Sequence, residues 1–177
     1  IVLSNTDSED LALKAIGSGA QEYLVKERSD GQVIKLAIRS SIKRKAIERK
    51  LFRQANYDRL TGLPNRGLFH EHLEKSLNSA KRWGNDQAII SLDINRLEDI
   101  NETHGRNVGD EILVELADRM IDIFRTSDVI SRYGGDEFMI LLDHRSEGKK
   151  ESAEYVGRKI IEATSRPFLL ASGEMVK

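Results

Sequence analysis

Apolar and polar positions change their spacing along the chain, and each change marks an element. Ile1-Val2-Leu3 is a short apolar run that predicts a buried strand. Ser8 is placed to cap a helix running through Ile16. Gly17, Gly19 and Ala20 turn the chain into a second run, Tyr23-Leu24-Val25, which ends at Lys26. Strand, helix and strand in this order predict a βαβ unit of a parallel sheet. Residues 30 to 57 predict one long helix. Ile34, Ile38 and Ile42 recur every four residues, and Ile47, Leu51 and Ala55 resume that spacing after a skip.

Gly62 and Pro64 break this helix. From Arg66 to Trp83 the apolar residues Leu68, Phe69, Leu73, Leu77 and Ala80 return at helical spacing. Gly84-Asn85 turns into Ala88-Ile89-Ile90-Ser91-Leu92-Asp93-Ile94-Asn95, which predicts a central strand with an acid at its end. Residues 95 to 110 are polar and predict a loop. Residues 111 to 124 carry Ile112, Leu113, Leu116, Met120 and Ile123 on one helical face. Apolar residues then flank Gly134-Gly135, predicting a hairpin with a two-residue turn, because glycine adopts positive φ without strain. A polar loop from Asp143 to Lys150 leads to a helix from Glu151 to about Thr164 with Val156, Ile160 and Ile161 inward. The chain closes on Glu174-Met175-Val176-Lys177, entering another strand. Both ends read as cuts through a longer chain.

The 177 residues are 39% hydrophobic and 32% charged, with a net charge of −1. This is a globular composition with no general pull toward nucleic acid or anionic membrane. No apolar run approaches the ~20 residues of a membrane span. There is no signal-peptide pattern either, so a cytoplasmic location without membrane insertion is expected. The absence of cysteine excludes disulfides and thiolate metal sites. His70 and His72 lie two apart, do not share a helix face, and read as surface residues. The long helix carries Arg39, Lys43, Arg44, Lys45, Arg49, Lys50 and Arg53 opposite its apolar stripe. Nucleic-acid or membrane contact is one reading of such a face. A solvated face on a helix that pairs through its stripe is the favoured one.

Asp136-Glu137 does not suit a plain hairpin. Two adjacent carboxylates repel, but they make sense if a cation sits at the turn, since carboxylate oxygens suit Mg²⁺. A strand ending in Asp93, laid beside the hairpin, brings a further carboxylate to the same place. Convergent carboxylates at strand ends are the usual means of holding Mg²⁺ against substrate phosphates. The alternatives are a solvated turn with incidental acids and, for Asp93, a strand-ending turn residue.

Three separated motifs together resemble the GGDEF domain, the catalytic domain of diguanylate cyclases. They are Asp58 through Arg66 (Asp-Arg-Leu-Thr-Gly-Leu-Pro-Asn-Arg), Asp93 through Asp110, and Gly134-Gly135-Asp136-Glu137-Phe138. The resemblance covers residues 58–177. It implies an α/β (α+β) fold with a mostly antiparallel central sheet flanked by helices, and condensation of two GTP to cyclic di-GMP and pyrophosphate. It implies that Asp93, Asp136 and the Ile94 carbonyl bind Mg²⁺ or Mn²⁺, with Glu137 assisting the metal or the attacking hydroxyl. Asn101 and Asp110 match the guanine-recognising pair; on its own, Asp110 is equally a helix N-cap. Arg125 and Asp128 match the site where cyclic di-GMP inhibits, the alternative being an ion pair in a turn. The resemblance also implies a homodimer in which each domain holds one GTP.

Residues 1–30 resemble the last part of a response-regulator receiver domain, joined through the helix at 31–57. Ser4 matches the hydroxyl that senses the phosphoryl group, Tyr23 the switch aromatic and Lys26 the lysine that pairs with phosphoaspartate. The acceptor aspartate belongs upstream, and an upstream histidine kinase is implied. Glu27 departs from the proline usual there. The second motif departs as well. Asn95 replaces an acid, Leu97 a phenylalanine and Glu98 a phosphate-contacting lysine, while Arg106 stands where histidine is common. The family's last strands and helix belong after Lys177, so this fragment is expected to be inactive by itself. Glu98 and the Pro167-Phe168 ending resemble those of an alternative, a GTP-binding GGDEF domain that regulates an attached cyclic di-GMP phosphodiesterase. A nucleic-acid binder acting through the basic helix ranks below both.

Overall fold

Ser8 begins the first helix by the mechanism its spacing predicts: its hydroxyl accepts from the Leu11 N–H at 3.4 Å. The computed structural model describes residues 1–84, 87–142, 153–170, 172–173 and 175–176. It divides into two compact units, Ile1–Ala55 and Asn56–Lys177.

In the first unit β1 (Val2–Ser4) and β2 (Tyr23–Val25) pair in parallel around α1 (Glu9–Gly17). Two expectations are corrected. The second strand ends at Val25, because Lys26–Arg28 form a 3₁₀ turn. The first strand is not buried: Val2 and Leu3 are 37% and 40% exposed. A two-stranded sheet has too few neighbours to enclose its own residues. Helix α2 runs from Gly31 to Asn56, capped by Asp30 Oδ1, which accepts from the Gln32 and Val33 N–H groups at 2.8 Å. Its buried residues are Ala37 and Ser41, while Ile38, Ile42, Ile47 and Leu51 are exposed.

The second unit mixes helices with an antiparallel sheet. β3 (Ala88–Asp93), β4 (Val129–Gly134) and β5 (Glu137–Leu142) form a three-stranded sheet in the order β3-β5-β4. The central strand is thus β5, and β3, expected in the middle, is at the edge of these three. α3 (Arg66–Trp83) packs on β4. α5 (Arg106–Ile123) and α6 (Ala153–Thr164) form the apolar core with Phe138, Ile140 and Leu142 of β5. Within it, Phe138, Ile140, Leu116 and Met120 are essentially inaccessible. Each such side chain contributes roughly 1.5–3 kcal/mol of burial. Two short strands, β6 (Phe168–Leu169) and β7 (Met175–Val176), pair beyond α6.

The polar stretch 95–110 is not a loop. α4 (Leu97–His104) occupies half of it, with Leu97 buried and Ile100 half-buried. Two apolar contacts on an eight-residue helix are too few to produce a legible period. Gly105, at φ +90°, separates α4 from α5, which starts five residues earlier than expected. On α6 Val156 and Ile160 face inward, whereas Ile161 is 65% exposed. Ile161 falls one helical step off the stripe set by residues four apart. Leu77 of α3, expected inward, is also exposed. Asn85, the loop from Asp143 to Lys150, Glu151, Glu174 and Lys177 lie outside the described residues.

Candidate active site

The hairpin turn falls one residue later than the Gly-Gly pair suggests. Gly134 still pairs with Glu137, and the turn itself is Gly135-Asp136, with Gly135 at φ +40°. The shift comes from a bulge between Arg132 and Gly134, where Tyr133 is the extra residue. It moves Asp136 from the strand onto the tip, half-buried.

The neighbouring strand end meets this tip. Asp93 is the last residue of β3 and pairs across the ladder with Glu137. The next residue, Ile94, donates its N–H to the Asp136 carbonyl at 3.3 Å. Asp93, Ile94, Asp136 and Glu137 are therefore gathered at one corner of the sheet. Asp93 and Glu137 are exposed, and Ile94 and Asp136 are half-buried. Every donor there is oxygen, which fits a hard divalent cation. Among the described residues no three His, Cys, Asp or Glu side chains form a closed cage. Two carboxylates and a carbonyl could serve such an ion as ligands, since Mg²⁺ is commonly held by one or two carboxylates with its other positions open. A cavity of about 220 Å³ opens beside this corner, lined by Leu92, Asp93, Ile94, Asn95 and Ile100 among others.

Asn101 lies in the last turn of α4, and its Oδ1 is buried without a hydrogen-bond partner. It rests against Gly109, which immediately precedes Asp110. Asn101 and Asp110 are thus held near one another by the α4–α5 packing. Asp110 is exposed and is the fifth residue of α5, so the N-cap alternative is overturned; Gly105 occupies the cap. Glu98 is exposed in the first turn of α4, and Arg106 is exposed at the start of α5. The residue before α4, Arg96, has φ +63°, the one positive φ outside glycine among the described residues. Its Nε donates to the Asp99 carboxylate at 2.7 Å.

Arg125 and Asp128 lie apart from this corner. They close the turn before β4: the Asp128 carboxylate accepts from the Arg125 N–H at 3.1 Å, and the Asp128 N–H donates to the Arg125 carbonyl at 3.0 Å. Six strand residues at ~3.3 Å each put them about 20 Å from the hairpin tip. In the first unit Ser4 Oγ accepts from the Thr6 N–H at 3.0 Å, and the Tyr23 hydroxyl donates to the Thr6 carbonyl at 2.6 Å. Lys26 is exposed on the 3₁₀ turn.

The supporting roles of Arg132, Asp58 and Thr61 were missed in the sequence, although Asp58 and Thr61 stand in the first motif. Arg132 donates through Nε and a terminal nitrogen to the Gly135 carbonyl at 2.9 and 2.6 Å. Its other terminal nitrogen donates to Asp58 Oδ1 at 3.1 Å. That oxygen also accepts from the Thr61 N–H and hydroxyl at 2.9 and 2.7 Å. Burial alone raises the Asp58 carboxyl. The Thr61 and Arg132 hydrogen bonds outweigh it and hold the group below the usual carboxylate range. The Asp58-x-x-Thr61 spacing and an arginine inside an apolar strand were the available signals. His70, read as a surface residue, is exposed but bonds the Tyr133 hydroxyl at 2.8 Å, beside the bulge.

Comparison with known proteins follows the same outline. The sequence model of the family described as "Diguanylate cyclase, GGDEF domain" matches residues 55–175. The signaling protein YkoW of Bacillus subtilis is 38% identical over 129 residues, covering 73% of this chain and 16% of the relative. The diguanylate cyclase TpbB of Pseudomonas aeruginosa is 36% identical over 126 residues, covering 71% of this chain and 28% of the relative. The chain therefore spans less than a third of these relatives' length. A solved structure of the GGDEF domain of TpbB from Pseudomonas aeruginosa superposes with a TM-score of 0.63 at 33% identity, covering 68% of this chain and 69% of that one.

Proposed function

Because the chain belongs to the diguanylate cyclase GGDEF domain family, we propose that the protein it forms part of condenses two GTP to cyclic di-GMP with release of two pyrophosphates. The observation that carries this reading is the corner where Asp93 pairs with Glu137 and Ile94 bonds the Asp136 carbonyl. Asp93, Asp136 and the Ile94 carbonyl would hold Mg²⁺ or Mn²⁺. Such an ion, when bound, polarises the α-phosphate and neutralises charge on the leaving pyrophosphate. Glu137, exposed beside Asp93, takes the proton from the attacking 3′-hydroxyl or assists in metal binding. Asn101 and Asp110 receive the guanine edge: an amide and a carboxylate match its carbonyl, N1–H and amino group. Each 3′-hydroxyl must reach the other nucleotide's α-phosphate, so two domains face each other in a homodimer.

Residues 1–30 belong on this reading to a receiver domain whose phosphorylation by a histidine kinase favours that dimer. Its support is the parallel β1–α1–β2 unit with Ser4 and Tyr23 both bonded to Thr6. Arg125 and Asp128 form a separate cyclic di-GMP site that limits synthesis.

The test is GTP turnover by the full-length protein with Mg²⁺, against Asp136→Asn. The parent is expected to form cyclic di-GMP and the variant none, with its circular dichroism and melting temperature retained. Parental turnover in the variant sinks the assignment. Glu98 supports a second reading, a GTP-binding regulatory domain, because it puts an exposed carboxylate on the first turn of α4 where the family has a lysine. Binding of GTP by the full-length protein without cyclic di-GMP formation decides for this second reading. No helix among the described residues is long and apolar enough to cross a membrane.

A further inference from the structure

The position of Asp136 depends on a peptide unit that its own residues do not hold. Gly135 sits at φ +40° and, lacking a side chain, has the widest conformational freedom of any residue. Its carbonyl and the Asp136 nitrogen form one rigid peptide plane. Rotating that plane moves the Asp136 carboxylate. On its far side Asp136 is held by the Ile94 N–H on its carbonyl. On its near side the plane is gripped by Arg132, through two nitrogens on the one Gly135 carbonyl.

The grip needs an anchor, and Asp58 is that anchor. Its carboxylate takes the third direction of the guanidinium. It is fixed in turn by two bonds from Thr61. The Arg132 N–H also donates to the Pro64 carbonyl at 3.1 Å, so the 58–65 turn and β4 are joined along their backbones. The Arg132 and Asp58 side chains are only 14% and 25% exposed, so water competes weakly for these bonds. A planar guanidinium serves a carboxylate in one direction and a carbonyl in another; an ammonium is a point charge and cannot hold both in place.

We propose that Arg132 is a positioning residue for the divalent-metal site, setting the Asp136 carboxylate through the Gly135 carbonyl, with Asp58 as its anchor. Its side-chain bonds go to the Gly135 carbonyl and Asp58, so on this proposal it acts through them and not by direct contact with nucleotide or metal. The inference rests on the assignment of Asp93 and Asp136 as metal ligands. A pair that merely joins the 58–65 turn to the hairpin would lower stability when cut and leave metal affinity alone.

The experiment measures Mn²⁺ affinity of the full-length protein by electron paramagnetic resonance, with a non-hydrolysable GTP analogue present. Parent, Arg132→Lys, Asp58→Asn and the double variant are compared, alongside their melting temperatures and cyclic di-GMP formation. Each single variant is expected to weaken Mn²⁺ about tenfold, the double no more than the weaker single, because both changes cut one linkage. Analogue affinity without metal should stay within twofold. Mn²⁺ affinity unchanged in Arg132→Lys, with a lowered melting temperature, overturns the proposal. Should Arg132→Lys fail to fold, Asp58→Asn, isosteric with the parent, carries the same readout, and unchanged Mn²⁺ affinity in it overturns the proposal equally. A parent that binds Mn²⁺ with the analogue but forms no cyclic di-GMP removes the cyclase reading, while the variants still decide the role of Arg132. A parent that binds no Mn²⁺ overturns the proposal itself.

Discussion

Gly109 and Asn101 pack so closely that a β-carbon on Gly109 would overlap the Asn101 side-chain oxygen. Two helices approach at this point, and the residue between the proposed guanine-reading side chains can only be glycine without displacing one of them. Gly109→Ala is expected to lower stability by about 1 kcal/mol, because overpacking a buried site costs about 1–3 kcal/mol while alanine in place of glycine inside a helix returns about 1. It should also weaken GTP binding, since Asn101 must move. Urea denaturation and calorimetric GTP titration check the two effects. A variant with parental stability would mean that α4 and α5 separate easily here.

Asp58 ties stability to pH. Its folded-state pKa lies below the usual carboxylate value. Its contribution is therefore fully present above the unfolded value of ~3.9 and is lost as pH falls through the lower folded value. Asp58→Asn should cost roughly 2 kcal/mol at neutral pH, the scale of hydrogen bonds to a charged group. The gap in melting temperature between parent and variant should then close below about pH 4. A gap that stays constant down to strongly acidic pH would show that the charge of Asp58 is not what stabilises the turn.

Glu98 carries opposing effects. In the first turn of α4 it favours the helix dipole, worth about 0.5 kcal/mol. Near a triphosphate the same charge repels. Glu98→Lys should therefore lose a little stability and bind GTP about tenfold more tightly, the factor that ~1.4 kcal/mol produces. The comparison is made at fixed Mg²⁺ and ionic strength. Equal or weaker binding in the variant would place Glu98 away from the phosphates and remove the support for the regulatory reading.

The Arg125–Asp128 turn gives a fourth test. The Asp128 carboxylate bonds the Arg125 backbone, so changing Asp128 would disturb the turn itself. Arg125→Ala spares that bond. It should lower cyclic di-GMP affinity at least tenfold, measured by calorimetry on the full-length protein, because arginine serves both phosphate and stacked guanine. Unchanged affinity leaves the pair as a turn and nothing more.

These outcomes mirror what was legible in the chain. The strand ending at Asp93, the Ser8 cap and the hairpin could be read because each rests on local chemistry: an apolar run, a capping hydroxyl, a glycine pair. What was missed rests on contacts across the sequence. α4 has one narrow apolar edge and no capping side chain, so its residues looked like loop. The bulge at Tyr133 shifted the turn by one residue, which no local rule at Gly134-Gly135 discloses. Arg132 and Asp58 are separated by 74 positions, and neither is unusual in its own neighbourhood. The corner of acids was found; the residues that brace it were not.

Arg119 of α5 shows a related asymmetry. Its terminal nitrogens donate to the carbonyls of Ala163, Arg166 and Pro167 at 2.7–2.9 Å, and its guanidinium lies 4.3 Å from the centre of the Phe168 ring. Its three hydrogen-bond acceptors here are main-chain carbonyls, which every amino acid supplies. Positions 163, 166 and 167 are thus free to drift in identity without loss of these bonds. Position 119 is not, because no other side chain offers as many donors in one plane. A substitution scan of the folded protein should find tolerance on one side of this contact and almost none on the other.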